Sequence, residues 1–233
     1  MELKDKKALV TGGGEGIGRA IAGALRAAGA DVAITGRRRD VLERTAAELG
    51  VWAIPGDVSV EADVVATVEA FVARHGRIDV LVNNAGFGHF APLVEMERER
   101  FDAVFATNVT GAMLMAREAA KHFVRQRSGN LVNISSTSGL KGGAGSSAYS
   151  GSKFALRGMT ECWREELRRY DVRVILINPS EVLTDFSAHA GYEQKRSDKK
   201  LRPQEIADAV LGVLRMDERG FVPELSVFAT NPF

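Results

Sequence analysis

One cysteine, two tryptophans, three tyrosines and a formal net charge of only +1 stand in 233 residues, and each scarcity removes a class of protein. A lone thiol, Cys162, forms no internal disulfide, and its helical neighbourhood predicts a small buried hydrophobe rather than a nucleophile. With 31 Lys and Arg against 30 Asp and Glu, no global field draws the chain to nucleic acid or to an anionic membrane, and neither is expected as a partner. No apolar run follows the charged opening residues 1–7 to serve as a signal peptide or membrane span, so a cytoplasmic location is expected. Of the four histidines, His75 ends a helical pattern and His122 lies within one. Both read as capping or surface groups, and no metal site is visible. Repeats, linkers and low-complexity tracts are missing too.

What is present is apolar residues at 45% and glycine in quantity, enough core for one sizeable α/β domain over residues 1–233. The glycines concentrate where they matter. After the apolar Leu9 and Val10 comes Thr11-Gly12-Gly13-Gly14-Glu15-Gly16-Ile17-Gly18, and then Ile21, Ala24, Leu25 and Ala28 at helical spacing. A strand that enters a helix through such a turn lets backbone N–H groups and the helix N-terminus approach a pyrophosphate closely. The spacing is Gly12-x-x-x-Gly16-x-Gly18, not the commoner Gly-x-Gly-x-x-Gly.

The alternation continues along the chain. Apolar strands are expected at Asp31–Gly36, 51–54, 80–82, 131–134, 172–177 and 225–228. Between them lie helical patterns at Arg39–Leu49, at 60–75 with Ser59 placed as cap, and at 98–125, 147–170 and 203–214, the last opened by Pro203. Strands alternating with long helices call for a doubly wound parallel sheet of about seven strands, covered on both faces. The stretch 180–201 has no clear pattern and is a candidate mobile lid.

Tyr149 and Lys153 are spaced to project from one helix face, one turn apart. A free tyrosine titrates near about 10, and a neighbouring ammonium favours the phenolate, so such a pair can exchange a proton near neutral pH. The spacing alone is common by chance. Ser136 gives it weight, because it follows the fifth strand at the carboxyl edge where open α/β sheets place ligands, and Asn83-Asn84-Ala85-Gly86 closes the fourth strand at the same edge. At the end of the second strand Gly36 stands where a carboxylate would bind the ribose 2′-hydroxyl of NAD, and Arg37 and Arg38 follow. These arginines suit the 2′-phosphate of NADP, although Arg37-Arg38-Arg39 also suits a solvated helix start.

At these positions the sequence resembles the short-chain dehydrogenase/reductase family, through Thr11-Gly12-x-x-x-Gly16-x-Gly18, Asn83-Asn84-Ala85-Gly86, Asn108, Ser136, Tyr149-x-x-x-Lys153 and Pro179 in family order. The resemblance implies a Rossmann-type fold and an NADP(H)-dependent oxidoreductase interconverting a carbonyl and an alcohol. It makes Tyr149 the proton donor and Ser136 the group that polarises the carbonyl. Lys153 would bind the nicotinamide ribose and lower the tyrosine pKa, and Asn108 would hold a water of the proton relay. The cofactor would lie on Gly12, Gly14, Glu15, Gly16, Ile17 and Gly18, with Arg37, Arg38, Asp57 and Val58 at the adenosine end and Asn84, Ala85 and Gly86 midway. Tyr149, Lys153, Pro179, Val182 and Thr184 would meet its nicotinamide end and phosphates.

Ser180 replaces the usual glycine after Pro179, Glu15 places a carboxylate where some relatives have a base, and the common Asp-Gly-Gly tail is missing. The last departure points towards 3-hydroxy acid dehydrogenases more than 3-oxoacyl-carrier-protein reductases. A 3-oxoacyl or 3-hydroxy acid type of substrate is expected, with an anionic group drawn by Lys195, Arg196, Lys199 and Lys200, or a solvated loop face balanced by Glu193 and Asp198. Acyl carrier protein is a candidate partner for Arg125, Arg127, Arg168 and Arg169. A homodimer or homotetramer is expected from Phe101, Phe105, Met113, Met159 and Trp163 on the two long helices. The alternative function is a non-catalytic NADP-binding redox sensor, which would be free to lose Tyr149, Lys153 or Ser136.

Overall fold

Strands β1 (Lys7–Thr11), β2 (Asp31–Gly36), β3 (Trp52–Pro55), β4 (Val80–Asn83), β5 (Gly129–Ile134), β6 (Val172–Pro179) and β7 (Glu224–Val227) pair in the order β3-β2-β1-β4-β5-β6-β7. All pairs are parallel. The structure is a computed structural model, and it describes residues 1–190 and 197–231. The helices are α1 (Gly16–Ala27), α2 (Arg39–Leu49), α3 (Glu61–His75), α4 (Arg98–Phe105), α5 (Ala112–Gln126), α6 (Ser147–Leu167), α7 (Phe186–His189) and α8 (Pro203–Arg215).

Side chains alternate across each strand, so the sheet feeds two cores. Ala8, Val10, Val32 and Ile34 join Ile21 and Leu25 of α1, Leu42 of α2 and Ile206 and Val210 of α8 on one face. On the other, Leu9, Ala33, Leu81 and Leu131 meet Val68 and Phe71 of α3 and Met115 and Phe123 of α5. The central strands are apolar on both faces for this reason, and the expected doubly wound sheet is what forms.

Three local expectations are corrected. The pattern at 98–125 is not one helix: a π-helical turn, Ala106–Gly111, separates α4 from α5. The wider turn accommodates Asn108, whose amide is committed to neighbouring segments rather than to solvent. Ser59 does not cap α3. Val60 holds that position, and the Ser59 hydroxyl instead donates to Asp57 Oδ1 at 2.7 Å. Cys162 is exposed, because it falls on the outer face of α6. The ends of 180–201 are tied: Ser180 N donates to Val227 O at 2.9 Å, Leu183 N to Leu201 O at 2.8 Å, and α7 lies between. Lys195, Arg196 and Glu193 lie outside the described residues.

Candidate active site

Strand order reverses between β1 and β4, and the crevice at their carboxyl ends is where an open α/β sheet receives ligands. Thr11 stitches that seam. Its buried hydroxyl accepts from Asn84 N at 3.0 Å and Ala85 N at 2.9 Å, while Asn84 Nδ2 donates to Thr11 O at 3.0 Å and Gly12 O at 3.2 Å. The two strand ends are thereby locked together beneath the glycine turn.

The turn needs its glycines. Gly12 and Gly16 have φ of 64° and 54°, a region disfavoured for side chains. A Cβ on Gly18 would stand 2.3 Å from Gly12 O. Gly18 is buried and lines no part of the cleft; its work is to bring α1 against the turn. Gly12, Gly14, Glu15, Gly16 and Ile17 do line it.

The cleft measures about 720 Å³ and runs from this turn in two directions. At one end are Arg37, Arg38, Asp57 and Val58. Arg38 is ion-paired with Glu15, and the hydrogen bond it donates to that carboxylate raises the guanidinium pKa. Arg37 is 63% exposed, with its Nη1 4.0 Å from Asp57 Oδ2. Asp57 is itself occupied by Ser59, whose N donates to Oδ1 at 2.9 Å. The Glu15 carboxylate therefore stands where it opposes an anion, while Arg37, held by the long contact to Asp57, faces the cleft beside Arg38. Asn84, Ala85 and Gly86 lie midway; Pro179, Val182 and Thr184 form the far wall.

At the other end, Ser136, Tyr149 and Lys153 line one space, as their sequence positions predict. Ser136 is held in extended backbone by Ser138 N, which donates to its Oγ at 3.1 Å. Lys153 is 5% exposed, its Nζ donates to Ile134 O at 3.0 Å and lies 5.8 Å from the Tyr149 ring centroid. Burial lowers its pKa to about 8. Asn108 does not line the cleft. It is a strut: Oδ1 accepts from Phe87 N at 3.0 Å, and Nδ2 donates to Phe87 O at 2.9 Å and to Ser152 Oγ at 3.0 Å, joining the loop after β4 to the helix that carries Tyr149. Beside it, a Cβ on Gly86 would meet Asn108 Oδ1 at 3.0 Å and Lys153 Nζ at 3.5 Å.

A family model described as short chain dehydrogenase matches residues 6–195. The chain belongs to that family. An uncharacterized oxidoreductase of Staphylococcus aureus strain MRSA252 is 34% identical over 228 residues, covering 97% of both chains. Among solved structures, the alcohol dehydrogenase of the archaeon Thermococcus sibiricus, complexed with 5-hydroxy-NADP, superposes with a TM-score of 0.90 at 30% identity over 97% of both chains. The 3-ketoacyl-(acyl-carrier-protein) reductase of Brucella melitensis, complexed with NADH, superposes with a TM-score of 0.91 at 30% identity over 98% of both.

This short-chain dehydrogenase also shows what pattern reading missed. Phe87, Phe90 and Phe186 reach the space around Tyr149, and Ser152 fixes Asn108. Phe186 lies in the patternless stretch, so no periodicity marked it. Among the described residues no group of three or more His, Cys, Asp or Glu could hold a metal ion, and no helix is long and apolar enough to cross a membrane. His75 ends α3, packed on Phe71 at 4.7 Å between ring centroids, and burial lowers its pKa; burial does the same to His122.

Proposed function

We propose that this short-chain dehydrogenase is an NADP(H)-dependent oxidoreductase interconverting a ketone or aldehyde carbonyl and an alcohol. The observation that carries the reading is the meeting of Tyr149, Lys153 and Ser136 at one end of a cleft whose other end is a glycine cradle flanked by Arg37. The cleft volume lies within the usual range for ligand pockets, about 300–1,000 Å³. The turn residues Gly12, Gly14, Glu15, Gly16 and Ile17 would hold a pyrophosphate, Asp57 and Val58 an adenine, and Lys153 a ribose. When bound, a nicotinamide cofactor supplies or accepts the hydride.

The chain's own groups handle the proton. In the reducing direction Ser136 Oγ–H donates to the substrate oxygen and polarises the carbonyl, and Tyr149 Oη delivers its proton to that oxygen as the carbon gains hydrogen. The Lys153 ammonium beside the ring favours the resulting phenolate. Asn108 holds Phe87 and Ser152 in register, and so sets the helix that carries Tyr149 against the loop after β4. Arg37 supports NADP over NAD, against the opposing charge of Glu15. Structures of relatives with an NADP derivative and with NADH show that both cofactors occur in the family.

Two relatives, an alcohol dehydrogenase and a 3-ketoacyl-carrier-protein reductase, support the carbonyl/alcohol couple. Of the four arginines considered for an acyl carrier protein, Arg127 lies 3.6 Å from Asp171 and Arg168 3.3 Å from Glu165, both in exposed pairs. We propose self-association as well, since Phe101, Phe105, Met113, Met159 and Trp163 are only half-buried. A non-catalytic sensor would be free to lose the Tyr149 and Ser136 hydroxyls, and both residues line the cleft. The test is NADPH or NADH consumption over a panel of ketones and aldehydes. Turnover of at least one ketone, faster with NADPH, is expected; tight cofactor binding without turnover of any would overturn the catalytic reading.

A further inference from the structure

The space in front of Tyr149 is walled by aromatic rings. Phe90 and Phe186 lie 5.6 and 5.4 Å from the Tyr149 ring, between centroids, both tilted at 51° and 56°. Gly88 lets the two phenyl rings close in, since a Cβ there would meet Phe90 Cε2 at 2.8 Å and Phe186 Cζ at 2.9 Å. Phe87, held at both backbone groups by Asn108, adds a further lining residue. Ser136, Thr137 and Ser138 bring small hydroxyls to the lining, and Glu181 and Asp185, close to Phe186 in the chain, bring carboxylates that would repel an anion.

Charge is distributed the other way. Among the described residues lining the cleft, the cations are Arg37, Arg38 and Lys153, and the two arginines lie at the adenosine end. Lys153 is buried and bonded to Ile134 O. Lys200, one of the lid cations expected to attract an anion, is spent on Glu181, with Nζ donating to Oε1 at 2.6 Å. Among the described residues no unburied cation lines the cleft beside the rings, so a carboxylate brought in there would lose its hydration at a cost, whereas an aryl or branched alkyl group gains from burial and from ring contacts.

We propose that the substrate is an uncharged carbonyl compound with an aromatic or branched apolar group next to the carbonyl, and that Phe90 and Phe186, packed together at Gly88, determine that choice. The proposal rests on the carbonyl/alcohol reading above, and it runs against the expectation of an anionic substrate, two of whose cations, Lys195 and Arg196, lie outside the described residues.

The test compares ethyl benzoylacetate with benzoylacetate, which share ketone and ring and differ in charge. With NADPH, kcat/KM for the ester should exceed that for the acid by about tenfold or more. Phe186→Ala and Phe90→Ala should raise KM for the ester by about 2- to 13-fold, the range that aromatic contacts supply, with the cofactor dissociation constant within about twofold of wild type. Phe186→Leu, which keeps apolar bulk and guards against misfolding, should fall between. An acid turned over as well as its ester, or an ester-to-acid ratio unmoved in both alanine variants, would overturn the proposal. Should neither compound be reduced, calorimetry of the cofactor-loaded protein with acetophenone and benzoate separates the two claims. Preference for acetophenone that is lost in Phe186→Ala would uphold the pocket while the catalytic reading fell; equal binding of both would sink the pocket.

Discussion

In the proposed reaction Tyr149 gives up a proton and the charge of Lys153 makes this easy. Tyr149→Phe keeps the ring and its contacts with Phe90 and Phe186 but removes the proton. Turnover should fall by about 10²–10⁴-fold with cofactor affinity retained, read by steady-state rates and fluorescence titration. Lys153 carries a second, thermodynamic signature. Its folded pKa of about 8 lies below the ordinary 10.5, so the unfolded chain binds more protons in between. Burying the ammonium therefore costs stability in full below pH 8, and that cost fades as pH rises from 8 to 10.5. The difference amounts to about 3 kcal/mol as an upper bound. Urea midpoints at pH 7.5 and 10 should show wild type gaining relative to Lys153→Met; a constant difference between the two would show that the ammonium is not destabilised.

At the scale of single elements, the strand–turn–helix unit at residues 7–27 was legible because each of its parts has a local signature: apolar residues, then glycines, then helical spacing. The structure adds why the third glycine is needed. Gly18 touches no ligand space, yet a Cβ there collides with Gly12 O at 2.3 Å and Asn84 Nδ2 at 2.4 Å. Gly18→Ala should weaken cofactor binding at least tenfold and lower the melting temperature together, whereas a purely ligand-contacting glycine would change binding alone. Glu15 shows where local reading stopped. That it could oppose a phosphate was visible in the sequence; that it takes up Arg38 was not, since the partners meet only once α1 and β2 are packed. Glu15→Gln frees Arg38 and should improve NADP over NAD by up to about fivefold, the worth of an exposed ion pair. Arg37→Ala should cost NADP about tenfold with NAD unaffected. Equal affinities in all three proteins would remove the arginines from cofactor choice.

The same limit explains the helix at 98–125. Its apolar spacing runs on through Thr107-Asn108-Val109-Thr110-Gly111, residues of low helix propensity, and the π turn falls there, joining Asn108 to Phe87 and Ser152. Cys162 was read as buried because its neighbours are helical, but a helix has an outer face, and which face is outer depends on partners remote in sequence.

Over the whole molecule, the parallel sheet gathers the carboxyl ends of β1, β4, β5 and β6 along one edge, so motifs more than a hundred residues apart in the chain share one cleft. That convergence followed from alternating strands and helices and was the most legible feature of all. The aromatic wall was not, because Phe90 and Phe186 lie in loops without periodicity and owe their meeting to Gly88. Self-association belongs to this scale as well. Light scattering at micromolar concentration should return at least a dimer mass, and a monomer would contradict it.

The central claim, that the cleft transfers hydride to a carbonyl while Tyr149 supplies the proton, is tested most directly by following deuterium. NADPH deuterated at the transferred position of the nicotinamide is incubated with an aryl ketone and either wild-type protein or Tyr149→Phe, and the alcohol is analysed by mass spectrometry. Wild type should yield alcohol carrying one deuterium on the carbinol carbon, from one face of the ring only, and Tyr149→Phe about a hundredth of that yield or less. Undeuterated alcohol, or labelled alcohol formed equally well by Tyr149→Phe, would contradict the account.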